Sequence, residues 1–264
     1  MEMQSLPSDR ALESLLAFWA EAGVDACYLD APIDRTQMAP PPVVKALARA
    51  TASVAPPPGV VNADAVAEAR ALAAGADSLE ALAAAIAGFK GCPLVGMGAS
   101  KAVFARGNPK APILVIGEAP GADEDAQGKP FVGKAGQLLD RMFAAGGLSD
   151  QVFITNTVYW RPPGNRTPTP QEQAICAPFV ERVMTLLRPK LVLLVGAAAL
   201  KAVLQTDEGV MKVRGQWREW RLAEGGVAAP VMATLHPAFL LRQPGFKRQA
   251  WQDILSLADR LATG

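Results

Sequence analysis

The sequence predicts an α/β fold. Three layers, α/β/α, would enclose a central, mainly parallel four-stranded sheet, with a helical extension at the N-terminal side. Three observations lead there. Short, wholly apolar runs at 113–116 (ILVI) and 191–195 (LVLLV) have the composition of strands buried on both faces. Segments with helical spacing alternate with those runs from about residue 84 onward. The unusual residues gather in three loops that would leave the C-terminal ends of strands, where ligands bind in such sheets.

Taken in order, residues 11–22 (ALESLLAFWAEA) place Leu12, Leu15, Leu16 and Trp19 at helical spacing. Residues 31–61 are rich in Pro and Ala and read as a linker. An Ala-rich helix is expected over 63–87, broken near Gly75. Residues 1–80 carry no residues arranged for chemistry and read as an extension; 84–264 form the α/β domain. Within it, 113–116 is a buried strand, and Lys134–Ala145 the helix that follows a Gly-rich turn. A second strand covers 152–159. Thr169 as N-cap, Pro170 at the first position and Glu172 three after the cap start a helix that Pro189 ends after Arg188. Leu191–Val195 is the third strand and Ala197–Leu204 a short helix. An antiparallel excursion is expected at 213–222, around Trp217 and Trp220. The fourth strand is 231–234, and an amphipathic helix over 248–261 closes the domain.

Composition excludes some classes of function. Half of the 264 residues are hydrophobic, yet no apolar run approaches the ~20 residues that span a bilayer. The opening MEMQSLPSDR has no apolar signal core, and Cys27, Cys92 and Cys176 are odd in number and widely spread, so a disulfide framework is not expected. A cytoplasmic monomer is the expectation. A net charge of +1 gives no global sign of nucleic-acid binding, so any such role must rest on local patches.

The first rim loop belongs to GEAPGADEDAQGKPFVGKAGQLLD, residues 117–140. It lacks the GK[ST] ending of a phosphate-binding loop, and Glu118, Asp123, Glu124 and Asp125 would repel phosphate. Carboxylates beside a Gly turn suit the positioning of a water for hydrolysis. Phe131, between Pro130 and Val132 in a loop, is poorly placed for core packing and well placed to stack on a base. The second loop, RPPGNRTPTP (161–170), is a proline-stiffened connector that also carries Asn165 and Arg166, with Asn156 at the preceding strand end. An amide sets a donor beside an acceptor, which suits a base edge, and Arg161 and Arg166 have the reach for phosphates. The third loop holds His236, the chain's single histidine, directly after a buried strand and fixed by Pro237.

The three motifs, GEAPGADEDAQGKPFVGKAGQLLD, TNTVYWRPPGNRTPTPQE and LHPAFLLR, in this order, closely resemble the fourth family of the uracil-DNA glycosylase superfamily, over about 84–264. The resemblance implies a base-excision-repair hydrolase that flips uracil out of DNA, cleaves its N-glycosidic bond and leaves an abasic site. It implies that Glu118, Glu124 and Asn165 hold or polarise water, with Ala119 in the same motif. Phe131 would stack on the flipped uracil, Asn156 read its edge, and His236 face its carbonyl as the bond breaks. Ala119 stands where the best-known branch has an aspartate. Arg242, Lys247 and Arg248 on one side and Arg161 and Arg166 on the other are expected to grip the strand.

Members of that family hold a [4Fe-4S] cluster on four cysteines. The matching positions here are Phe89, Cys92, Trp160 and Cys176. Neither Phe nor Trp supplies the thiolate that such clusters need, so no cofactor is expected, and the four residues are expected to pack as a plug. Two rival readings stand beside the glycosylase: a non-catalytic DNA-binding or repair scaffold on the same fold, and a glycosylase of broader range that accepts hypoxanthine or mismatched thymine.

Overall fold

The structure, a computed structural model, describes residues 62–222 and 226–263. The helix expected at 11–22, the linker at 31–61 and Cys27 lie outside them. The described residues fall within one compact unit, Pro57–Gly264.

Among the described residues there are nine α-helices, α1 to α9 in chain order. Helix α1 (Ala63–Gly75) begins at Asn62, whose side chain accepts from the Ala65 N–H, and α2 (Leu79–Gly88) at Ser78, which caps Ala81 in the same way. The break between them falls at the expected glycine. Both helices pack on α5 (Pro170–Leu187), and Ala65, Ala69, Ala73, Leu82 and Ile86 are buried in the main core. The core therefore takes in helices upstream of residue 84, where the domain was expected to begin. Arg182 of α5 ties this region down by donating twice to the Ala76 carbonyl.

Among the described residues the sheet has six strands rather than four: β1 (Ala105–Gly107), β2 (Ile113–Gly117), β3 (Val152–Asn156), β4 (Leu191–Val195), β5 (Trp217–Arg221) and β6 (Ala228–Thr234). Their order is β1-β3-β2-β4-β6-β5. The inner four are the expected strands and run parallel; the two added edge strands are antiparallel, β5 being the excursion expected around Trp217. Strand β6 starts at Ala228, before Pro230. That proline lies where β6 has β5 alone as neighbour, since pairing with β4 begins at Val231, so the missing N–H is tolerated.

Alternate residues of the central strands face opposite layers. Leu114, Ile116, Val192 and Leu194 join the core under α1, α2 and α5, whereas Ile113, Val115, Leu191 and Leu193 join Leu139, Phe143, Ile254 and Leu257 from α4 (Lys134–Ala145) and α9 (Lys247–Thr263). Burial on both faces is why these strands read as continuous apolar runs. Helix α5 starts with the expected capping box, Thr169 and Glu172 each bonding the other's backbone N–H, and ends with Arg188 in a left-handed conformation. Helix α6 (Ala197–Leu204) lies where expected, and α7 (Val210–Val213) is one turn. Helices α3 (Ala122–Gln127) and α8 (Pro237–Arg242) occupy stretches expected to be loops. Among the described residues, no helix is long and apolar enough to cross a membrane.

Candidate active site

The parallel strands β2, β3 and β6 bring the three rim segments together at their C-terminal ends. Gly117 and Asn156 are paired residues at the ends of β2 and β3, and Thr234 ends β6 beside Val195 of β4. Above this edge lies a cleft of about 540 Å³ whose walls include Glu118, Ala119, Phe131, Asn165, His236 and Arg242.

The Phe131 and His236 rings face each other across 5.7 Å between centroids, at an interplanar angle of 32°. Phe131 is buried, and its backbone takes φ +55°, a left-handed conformation uncommon outside glycine. Asn156, at the end of β3, is 1% exposed, and among the described residues neither its Oδ1 nor its Nδ2 has a hydrogen-bond partner. A buried amide without partners is costly; this one has the complement of a pyrimidine edge. The shared neighbour of Phe131 and Asn156 is Gly117. A Cβ there would lie 2.5 Å from both the Phe131 Cζ and the Asn156 Oδ1, so only glycine lets ring and amide close on the strand end. The sequence signal was present, a glycine directly after an apolar strand, but its role depends on two side chains distant in the chain.

His236 caps α8, its Nδ1 accepting from the Ala238 N–H at 3.1 Å. That bond assigns the proton of the neutral ring to Nε2. Burial, helped by the positive charge of Arg242 and opposed by Glu124, lowers the imidazole pKa from 6.5 to about 4. His236 is thus a neutral donor at physiological pH. Gly196, at φ +94°, approaches it from the end of β4; a Cβ there would sit 3.0 Å from the His236 Cβ.

The three residues expected to handle water have different surroundings. Glu124 has its carboxylate engaged by backbone: Oε2 accepts from Gly121, and Oε1 from Val132 and Gly133, all within 3.0 Å. Asn165, at φ +54°, accepts from Arg161 Nε at 2.7 Å through Oδ1. Glu118 is half-buried in the cleft wall, and its backbone carbonyl accepts from Thr157. Ala119, also in the wall, leaves room rather than adding charge.

Of the cations expected to grip DNA, Arg242, Lys247 and Arg248 are exposed at the end of α8 and the start of α9, and Arg161 is half-buried at the cleft's other side. Arg166 is differently employed. Its two terminal nitrogens hold the buried Glu172 at 2.8 and 2.6 Å, which pulls that carboxyl's pKa down against the effect of burial. It braces the start of α5 at the cleft wall, a role its place in a loop did not reveal.

The four positions matching the cluster cysteines also converge. Phe89, Cys92, Trp160 and Cys176 are all buried in one core cluster, with the Phe89 and Trp160 rings 6.1 Å apart. A hydrogen bond from Cys176 lowers the Cys92 pKa, while burial raises that of Cys176. Two of the four positions are aromatic and only two carry thiols, so these residues do not fit an iron–sulfur cluster.

Comparison with known proteins agrees with this geometry. The model of the uracil DNA glycosylase superfamily matches residues 104–255. A type-4 uracil-DNA glycosylase of Sulfurisphaera tokodaii is 36% identical over 193 residues, covering 71% of this chain and 86% of the relative. One from Thermotoga maritima is 39% identical over 153 residues, 57% of this chain and 77% of the relative. A type-5 uracil-DNA glycosylase of Thermus thermophilus is 31% identical over 173 residues, 59% of this chain and 78% of the relative. With its family matched over more than half its length and its three rim motifs gathered at one cleft, the chain belongs to the uracil DNA glycosylase superfamily.

Proposed function

We propose that the protein is a DNA-repair uracil-DNA glycosylase, hydrolysing the N-glycosidic bond of a flipped uracil and leaving an abasic site. The observation that carries this reading is the unpartnered, buried Asn156 amide, which closes on Gly117 together with the ring of Phe131, while Phe131 and His236 line one cleft. Extruding a base costs roughly a few kcal/mol, and stacking on Phe131 returns roughly 1–3 kcal/mol. Asn156 Nδ2 donates to uracil O4 and Oδ1 accepts from N3–H. Cytosine reverses both partners and leaves the amide unpaired in a buried site. As the bond breaks, negative charge grows on the uracil carbonyl beside His236. Nε2–H donates to it as a neutral, preorganised donor.

The attacking water falls to Glu118, whose side chain lies in the wall, with Asn165 beside it; Glu124 supports the turn. Arg242, Lys247, Arg248 and Arg161 serve the phosphates. We place it as a cytoplasmic monomer without an iron–sulfur cluster, since Phe89 and Trp160 stand where two of the four thiolates would be needed.

The test is incubation with a single-uracil oligonucleotide, then alkali cleavage. Strand scission at the uracil is expected. Binding without scission would favour the scaffold reading, and scission at hypoxanthine or mismatched thymine the broader one.

A further inference from the structure

Phe131 presents its ring from a backbone conformation that persists only where the surroundings over-determine it. The peptide units on both sides of it are held. From the outer edge of the sheet, Arg106 on β1 donates through Nε to the Pro130 carbonyl at 2.7 Å and through Nη2 to the Phe131 carbonyl at 3.0 Å. The same Nη2 bonds Asp140 of α4 at 2.7 Å, which fixes the guanidinium. From the inner side, Glu124 accepts the N–H groups of Val132 and Gly133. Helix α4 admits this backbone because residue 136 is glycine; a Cβ there would overlap the Phe131 carbonyl.

Arg106 differs from Glu124 in one useful respect. Glu124 lines the cleft, so its loss would disturb substrate directly, whereas Arg106 stands outside the cleft and touches the loop through backbone carbonyls and Asp140. We propose that Arg106 is a positioning residue of the active site: by gripping the Pro130 and Phe131 carbonyls it holds the Phe131 ring where a flipped base must stack. A fork of fixed donors suits two successive carbonyls and a carboxylate in a way a single ammonium does not. The proposal rests on the glycosylase reading for its kinetic consequence, and on geometry alone for the clamp.

The test is a double-mutant cycle on the full chain, with Arg106→Ala, Arg106→Lys, Phe131→Ala and the Arg106→Ala/Phe131→Ala pair. Each is assayed on a single-uracil oligonucleotide well below its melting temperature, with amide hydrogen exchange followed in parallel. Arg106→Ala is expected to lower kcat/KM by roughly tenfold, the scale of one lost stacking contact. Arg106→Lys should recover part of that loss, and Arg106→Ala should cost nothing more once Phe131 is alanine. Exchange at Val132 and Gly133 should quicken in Arg106→Ala while the central amides of α4 keep their rates. Wild-type kcat/KM in Arg106→Ala, or the same fold loss with and without Phe131, would overturn the proposal. If the wild-type protein leaves uracil in place, the glycosylase reading fails instead. The exchange data then decide the clamp by themselves: quickened loop amides support it and unchanged ones refute it.

Discussion

Two regions of this domain have taken opposite routes. Near the base cleft, polar groups are buried and left open: the Asn156 amide has no partner among the described residues, Phe131 and Asn165 hold left-handed backbones, and His236 is kept neutral. At the plug, Phe89 and Trp160 pack as buried rings in one core cluster with the free thiols Cys92 and Cys176. One region keeps features that cost stability; the other is filled by its own side chains. The difference teaches that a buried amide left without a partner marks a place built for a ligand, whereas rings and thiols that fill their own space mark packing.

This contrast can be broken most forcefully at His236. His236→Ala should lower kcat by about 10²–10³ and change DNA affinity little, as measured by single-turnover excision and by fluorescence anisotropy. Equal loss of both would remove the imidazole from its assigned role. Next is Gly117→Ala, whose Cβ must displace the Phe131 ring or the Asn156 amide. A misplacement of that kind costs about 10²-fold in rate, and unchanged kcat/KM would show that ring and amide tolerate separation.

A pH profile sharpens the same region. The folded His236 pKa lies at about 4 against an ordinary 6.5, so the neutral donor persists through pH 5 and the His236-dependent loss of kcat falls near pH 4. The linked stability runs the same way. It is intact above pH 6.5 and falls as the pH drops toward about 4, because the unfolded chain takes up that proton first. A kinetic limb centred near 6.5 that vanished in His236→Ala would contradict this.

The plug should respond in the other currency. Phe89→Ala removes a buried ring packed edge-on against Phe179 and near Trp160, and should cost about 3–5 kcal/mol of stability in denaturant titration while kcat at 25 °C changes least of all. Purified protein should be colourless and iron-free. A brown preparation with visible absorbance would show a cluster held in spite of Phe89 and Trp160.

The elements read correctly from sequence were those whose signal is local. The capping box at Thr169 and Glu172, the apolar strands and the helix Lys134–Ala145 each state their own geometry within a few residues. Strand β1 escaped because Ala-Arg-Gly has no apolar alternation, and α3 because ADEDAQ has no apolar stripe. Motif order brought Phe131, Asn156 and His236 forward as candidates. What stayed hidden depended on where side chains turn, which the pattern does not state: Arg166 bracing Glu172 six residues on, Glu124 accepting from Val132 across the turn, and Arg106 reaching the Phe131 carbonyl from a strand the pattern did not reveal.

The most direct test is a crystal structure of the protein with abasic DNA and free uracil. Uracil should lie flat against Phe131, its O4 and N3 within hydrogen-bond distance of Asn156 and a carbonyl oxygen facing His236 Nε2. Uracil bound elsewhere, with the Asn156 amide still unpartnered, would contradict the account at its centre.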